Sequence, residues 1–239
     1  MDKQPVLFSD LGNIDYQTAW DRQELILSEN VAIKTAARLQ QLDLNPMQLA
    51  TQHHLFFCEH PLVYTLGKSG NIENVLLSDD ELKEKGIAFF RTNRGGDITF
   101  HGPGQIVGYP IFDLEKFTTD IGLYLRNMEE VIIQTISEWG ILGARSKGET
   151  GVWIDADIPG KERKICAIGV RCSRWITMHG FALNVNTDLT YFNNIIPCGI
   201  QNKQVTSIEK EIGEKADVTK VKSTIKQKFE SIFNIEWMD

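Results

Sequence analysis

Cys198 is the residue of this chain best suited to nucleophilic chemistry. It lies between Pro197 and Gly199, in a turn that presents a sulfur, whereas a buried structural cysteine normally sits inside an apolar strand or helix. A thiol with a pKa near ~8.5 is mostly protonated at neutral pH, so it needs a positive neighbour to act. Lys164, at the head of the run 165–169 (ICAIG), is one candidate. Held against a cysteine, its ammonium favours the thiolate; desolvated, a lysine can release its proton and serve as a base. A solvated strand end is the plainer reading of Lys164, and spacing alone does not bring it to Cys198.

Other chemistry-bearing residues divide less sharply. His101 and His179 each adjoin a glycine, where an imidazole can donate to a substrate carbonyl or merely satisfy a buried backbone group. His53, His54, Cys58 and His60 are dense, but their spacing matches no tetrahedral zinc pattern. Cys166 and Cys172 flank strand-like residues and read as core or structural thiols. The run 67–70 (GKSG) resembles part of a phosphate-binding loop, yet that motif needs a glycine where Leu62 stands. No GxSxG nucleophile elbow is present.

The elements that must position these groups centre on residues 94–113, RGGDITFHGPGQIVGYPIFD. Gly95 and Gly96 allow a sharp turn and close approach of a ligand to the backbone. Ile98, Thr99 and Phe100 favour extended structure before the turn signal 102–104, and Ile106, Val107, Tyr109 and Ile111 favour it after. A strand, a glycine-lined bend and a strand returning beneath it are expected, with an ordinary hairpin as the alternative.

Around this centre, residues 6–11 read as an edge strand. Residues 15–42 read as a helix capped by Asp15 and ended by Asn45-Pro46, and residues 52–59 as a strand. Extended character resumes over 62–66. A short helix follows Ser78, with Glu81 three residues on. Ile121, Leu125, Met128, Ile132, Ile136 and Trp139 recur at helical spacing up to Gly140, a stripe read as sheet-packing core. Strands are expected over 151–154, 164–171 and 176–185, a loop-rich stretch over 188–200, and a final helix over 217–233. Strands in hairpin-like clusters between helices predict an α/β fold of α+β type, a mixed or antiparallel sheet with flanking helices.

The chain has 239 residues, long enough for one large domain, and a formal net charge of −7, which argues against a general nucleic-acid binder. No signal peptide or membrane span is expected, and four cysteines without a CxxC pair suit a cytoplasmic protein with reduced thiols.

Taken together, these stretches resemble the lipoyl(octanoyl) transferase family. The resemblance rests on residues 59–61 (EHP) with 64–67 (YTLG), and on Arg94, Gly95 and Gly96 through Thr99, His101, Gly104, Gln105 and Tyr109. It continues with Lys164, residues 167–171 (AIGVR), His179-Gly180 with Asn184, and Pro197-Cys198-Gly199. It implies a single domain over 1–239 of the biotin/lipoate protein ligase-like fold, with its motifs over about 16–209 and a C-terminal helix over about 217–233. It further implies octanoyl transfer from octanoyl-acyl-carrier protein to a lysine of apo lipoyl domains, those of 2-oxoacid dehydrogenases and the glycine cleavage H protein. No cofactor, metal, nucleic acid or membrane enters. By position, Cys198 is the acyl-thioester nucleophile and Lys164 lowers its pKa. Arg94, Gly95, Gly96, Asp97, Ile98, Thr99, Phe100, His101, Ala167, Ile168, Gly169, Gly180, Phe181 and Ala182 line the acyl site.

The chemistry agrees with that assignment. Thioester exchange onto Cys198 is nearly isoenergetic and the lysine amide that follows is more stable, so no ATP is required. Backbone N–H groups of the glycine bend or the Cys198 loop are expected to hold the oxyanion. Ile168, Phe181 and Leu183 are expected to wall an apolar slot, and Lys68, Arg171 and Arg174 to form a local basic patch for the carrier. The rival readings are an ATP-dependent lipoate or biotin ligase, a thioesterase, and a non-catalytic lipoyl-domain binder.

Overall fold

The computed structural model describes residues 3–40, 44–196 and 204–238. Capping side chains fix where its helices begin. Asp15, Ser78, Asp120, Ser207 and Asp217 each accept from a first-turn N–H of α1 (Tyr16–Leu39), α2 (Asp79–Glu84), α3 (Ile121–Ser137), α4 (Ile208–Ile212) and α5 (Val218–Phe233). Ser78 and Glu81 close the expected capping box. α1 ends at Leu39, short of Asn45, which instead caps a 3₁₀ turn over Pro46–Gln48.

The strands are β1 (Gln4–Asn13), β2 (His53–Glu59), β3 (Val63–Leu66), β4 (Ala88–Arg91), β5 (Ile98–His101) and β6 (Gln105–Ile111). They continue with β7 (Gly143–Ser146), β8 (Glu149–Ile154), β9 (Arg163–Ser173), β10 (Ile176–Asn184), β11 (Gln204–Val205) and β12 (Ile235–Met238). The large sheet runs β12-β1-β2-β6-β10-β9-β8-β7, with β11 pairing β9; a second sheet is ordered β4-β3-β5. Parallel pairs join β1 to β2 and β12, and the pairs from β2 through β7 are antiparallel, so the sheet is mixed as expected.

Two expectations fail here. Residues 6–11 are not an edge strand throughout, because β12 pairs outside β1 at Val6 and Leu7. Nor do 98–111 form a hairpin or a strand returning beneath its neighbour: β5 pairs with β3 in the small sheet, and β6 with β2 and β10 in the large one. The 102–104 turn carries the chain between sheets. Gly104 sits at φ +78°, where a Cβ would lie 2.4 Å from the Asn186 carbonyl oxygen.

Strand alternation sends side chains to two faces. Leu55, Phe57 and Ile106 pack with Met128 and Ile132 of α3 and with Ile225 and Phe229 of α5. Phe56, Val107 and Met178 pack on the opposite face against Ala19, Ile26 and Leu27 of α1. A separate cluster of Tyr64, Leu66, Leu82, Ile87 and Phe100 holds the small sheet and α2 together.

Candidate functional site

A cavity of about 640 Å³ opens along the seam between the two sheets. Residues 94–99 and His101 form its small-sheet side; Val107 and Tyr109 of β6, residues 167–170 of β9 and residues 179–182 of β10 form the other. Lys164 lines it, as do Ile121 and Leu125, so the first turns of α3 border the cavity, where the stripe was expected to be only sheet-packing core.

The glycine bend is stitched down by its own backbone. The Gly95 N–H donates to the Val170 carbonyl at 2.9 Å, and the N–H groups of Gly67, Lys68 and Ser69 donate to Asp97, Arg94 and Gly96 carbonyls. Those four donors are therefore spent: 67–70 forms no phosphate cradle, and the Gly95 N–H is not available to an oxyanion. A Cβ on Gly169 would sit 2.8 Å from the Gly95 oxygen, which is why β9 needs a glycine beneath the bend. Arg94 is buried, its guanidinium donating to the Thr65 carbonyl at 2.6 Å, the Thr65 Oγ1 at 3.0 Å and the Gly95 carbonyl at 3.0 Å. Asp97 accepts from the Ile98 N–H and from Asn74 Nδ2, both at 2.7 Å.

Both glycine-flanked histidines reach the cavity. Burial, together with the neighbouring His60 charge, pulls His101 down to about 3, so it stays a neutral imidazole. Burial, with Arg94 and Arg171 nearby, holds His179 at about 3 as well. His179 Nε2 lies 2.7 Å from Asn93 Oδ1, and Asn93 Nδ2 donates to Glu24 Oε1 at 2.9 Å. Glu24 Oε1 also accepts from Trp20 Nε1 and Arg171 Nη1.

Lys164 Nζ stands 4.6 Å from the centroid of the Trp153 ring, which steers the ammonium over an aromatic face. β11 pairs Val205 with Lys164, and the Thr206 N–H donates to the Lys164 carbonyl at 2.9 Å. Cys198 lies outside the described residues. On either side of it, the Ile196 N–H donates to the Asn74 carbonyl and Gln204 pairs with Arg163.

Several expected site residues sit elsewhere. Phe100 is buried in the small-sheet core, stacked on Tyr191 at 5.0 Å, and backs the wall rather than lining it. Leu183 is packed into the core under α3 and α5 and does not wall the slot, whereas Ile168 and Phe181 do. Arg171 is tied to Glu24 at 2.7 Å, leaving Lys68 and Arg174 as the exposed members of the expected basic patch. Cys166 is buried as expected, but Cys172 is exposed near the β9–β10 turn and is not a core thiol. Tyr16, Val107, Ile121 and Leu125 line the cavity without having been singled out for it. Val107 is on β6, but Tyr16 comes from α1 and Ile121 and Leu125 from α3, and only the packing of those helices on the sheet reveals them.

A model of the lipoyl protein ligase A/B catalytic domain matches residues 15–230. The chain belongs to this family. An octanoyltransferase from Flavobacterium johnsoniae is 55% identical over 232 residues, 97% of each chain. Another, from Christiangramia forsetii, is 54% identical over 227 residues, 95% of this chain and 94% of its own. These relatives set the chain among the family's octanoyltransferases, which are acyltransferase enzymes. A bi-partite lipoate protein ligase from Thermoplasma acidophilum covers 100% of this chain and 86% of its own at a TM-score of 0.69 and 17% identity. That likeness shows the shared lipoate ligase-like fold alone. Among the described residues, no helix is long and apolar enough to cross a membrane.

Proposed function

We propose that this family member moves an octanoyl group from octanoyl-acyl-carrier protein to a lysine of apo lipoyl domains in the cytoplasm, with Cys198 carrying the acyl group in between. The Cys198 thiolate attacks the carrier thioester carbonyl, and the carrier's thiolate leaves with a proton from the Lys164 ammonium, which becomes a neutral amine. The acceptor amine then attacks the new thioester, loses its proton as the amide forms, and frees Cys198. Lys164 favours the thiolate in the first step and takes the amine proton in the second.

The observation that carries this reading is the pairing of β11 with β9. It sets Val205, seven residues beyond Cys198, against Lys164 on the cavity wall, so the chain that bears the cysteine returns to the lysine. The apolar part of the cavity supplies the acyl slot; seven buried carbons of the tail contribute roughly 5 kcal/mol. The 55% identity to an octanoyltransferase supports this reading over an ATP-dependent ligase on the same fold. The Thermoplasma acidophilum system, described with its E2 lipoyl domain, supports the acceptor class, to which the 2-oxoacid dehydrogenases and the glycine cleavage H protein belong.

The test is intact-protein mass after mixing with octanoyl-acyl-carrier protein without ATP. The wild type is expected to gain one octanoyl group, chased off by an apo lipoyl domain, and Cys198→Ser to gain none. An adduct on neither protein, with activity appearing only on adding ATP and free octanoate, would overturn the transferase reading. Release of octanoate without an acceptor would mark a thioesterase, and no acyl turnover under any condition a binding module.

A further inference from the structure

The chain that leads into Cys198 is held by a short loop far from it in sequence. The Ile196 N–H donates to the Asn74 carbonyl at 2.8 Å, the Leu76 N–H donates to the Asn194 carbonyl at 2.9 Å, and Val75 bridges Ile195 in antiparallel register. Residues 194–196 thus lie against 74–76, with Ile195 buried in the small-sheet cluster. The Ile196 bond is two residues ahead of Cys198.

The loop is joined to the cavity wall by a side chain. Asn74 Nδ2 donates to Asp97 Oδ2 at 2.7 Å, and Asp97 lines the cavity. A hydrogen bond to a carboxylate is about twice as strong as one between neutral groups. Asp97 is itself fixed on several sides. Its Oδ1 accepts the Ile98 N–H at 2.7 Å, and its carbonyl accepts the Gly67 N–H at 3.2 Å. Gly70 packs so close that a Cβ there would lie 2.6 Å from Asp97 Oδ1. A continuous path therefore runs from the glycine bend through Asp97 and Asn74 to Ile196.

We propose that Asn74 and Asp97 are positioning residues: their hydrogen bond sets where Ile196, and with it the thiol two residues on, stands relative to the cavity. This rests on the acyl-transfer reading above and adds to it a pair that acts through geometry. A nucleophile must meet a thioester carbonyl in line, and a misplacement of about 1 Å can cost about a hundredfold in rate. The chain bearing Cys198 needs an anchor on each side of the cavity seam. β11 supplies one on the large sheet, and Asn74 supplies the other at the glycine bend.

The experiment is a donor–acceptor swap. Asn74→Asp sets two carboxylates against each other where one N–H···O bond stood. Adding Asp97→Asn rebuilds the bond in reverse: the new amide donates to the carboxylate at position 74, and its oxygen keeps the Ile98 N–H. Both changes preserve side-chain size. Single-turnover formation of the octanoyl adduct is followed at limiting and saturating carrier for the wild type, the single variant and the double variant. Asn74→Asp is expected to slow the saturated rate about tenfold to a hundredfold, with the half-saturating carrier concentration within about threefold of wild type. The double variant is expected to recover at least about half of that loss on a logarithmic scale.

A role in stability alone would lower the urea midpoint of Asn74→Asp and leave the saturated rate of the folded protein unchanged. That result, or a double variant no faster than the single one, would overturn the proposal. Hydrogen exchange at the Ile196 amide needs no acyl chemistry. It is expected to quicken about tenfold in Asn74→Asp and to slow again in the double variant; equal exchange in all of them would also overturn it. Exchange that follows the swap in a protein forming no octanoyl adduct would count against the acyl-transfer reading and not against this tie.

Discussion

His101 Nδ1 lies 2.8 Å from Gln105 Oε1, and that contact sets the direction of a hydrogen-bond relay across the site. Gln105 Nε2 donates to the Phe100 carbonyl and to Asn184 Oδ1, so its oxygen must accept from His101. Nε2 of His101 is then free to accept from Thr65 Oγ1 at 3.4 Å, and Thr65 Oγ1 accepts from Arg94. At the other end, Asn184 Nδ2 donates to the Thr206 carbonyl, and Thr206 donates its N–H to Lys164. One ordered chain thus joins the glycine bend to the backbone of Lys164.

Gln105→Leu leaves the His101 donor and the Asn184 acceptor buried without partners. A loss of about 2–4 kcal/mol is expected, read as a lower urea midpoint at unchanged m-value. A change below about 0.5 kcal/mol would show that the relay does not hold the site together.

Gly169→Ala drives a methyl group against the Gly95 carbonyl, a backbone atom that can yield only by moving the bend. The fold should survive at a cost of about 1–3 kcal/mol, while octanoyl-adduct formation falls about tenfold to a hundredfold. Wild-type adduct rates would mean the bend does not shape the acyl site.

Val107, Ile168 and Phe181 give the slot a hydrocarbon surface. Lengthening an unsubstituted acyl donor from butanoyl to octanoyl should raise kcat/KM by about fourfold per methylene, matching ~0.8 kcal/mol for each. A flat series would remove the slot.

His53, packed against Phe112 and Phe117, is pulled down to about 3 mainly by burial, with Lys116 adding and Asp113 opposing. Its Nδ1 accepts the Asp113 N–H at 3.1 Å, so the folded state keeps it neutral while the unfolded chain protonates it near ~6.5. The stability it contributes is fully present above that value and is lost as pH falls toward the folded one. The cost is about 2 kcal/mol by pH 5, and His101 and His179 act in the same sense. In a pH series of unfolding free energies, His53→Asn should flatten the acid limb by about one proton, roughly 1.4 kcal/mol per pH unit. An unaltered slope would place the acid sensitivity elsewhere.

Local signals in the sequence carried far. Asp15, and Ser78 with Glu81, announced helix starts because a cap is a contact within four residues. The Arg94–Gly95–Gly96 bend, β9 and β10 were legible from glycines and apolar runs, and they do meet at the cavity. What was missed depends on distant pairing. β1 has β12 on its outer edge only because the chain returns more than two hundred residues later, through a left-handed Asn234 that ends α5. Ile121 and Leu125 lie on a stripe whose later turns are core, and periodicity cannot tell which end of a helix meets a cavity. Leu183 is an apolar residue near Phe181 in sequence, but the packing of α3 and α5 against it, invisible locally, takes it out of the slot.

The turn over 102–104 leaves β5 and β6 in separate ladders, with the cavity as the seam between them. That seam is held by the Gly95 N–H bond to the Val170 carbonyl and by side chains meeting across it, not by a continuous strand ladder. Wall side chains can therefore be exchanged without breaking a strand-pairing hydrogen bond, so the cavity's shape is open to change at a cost in packing alone.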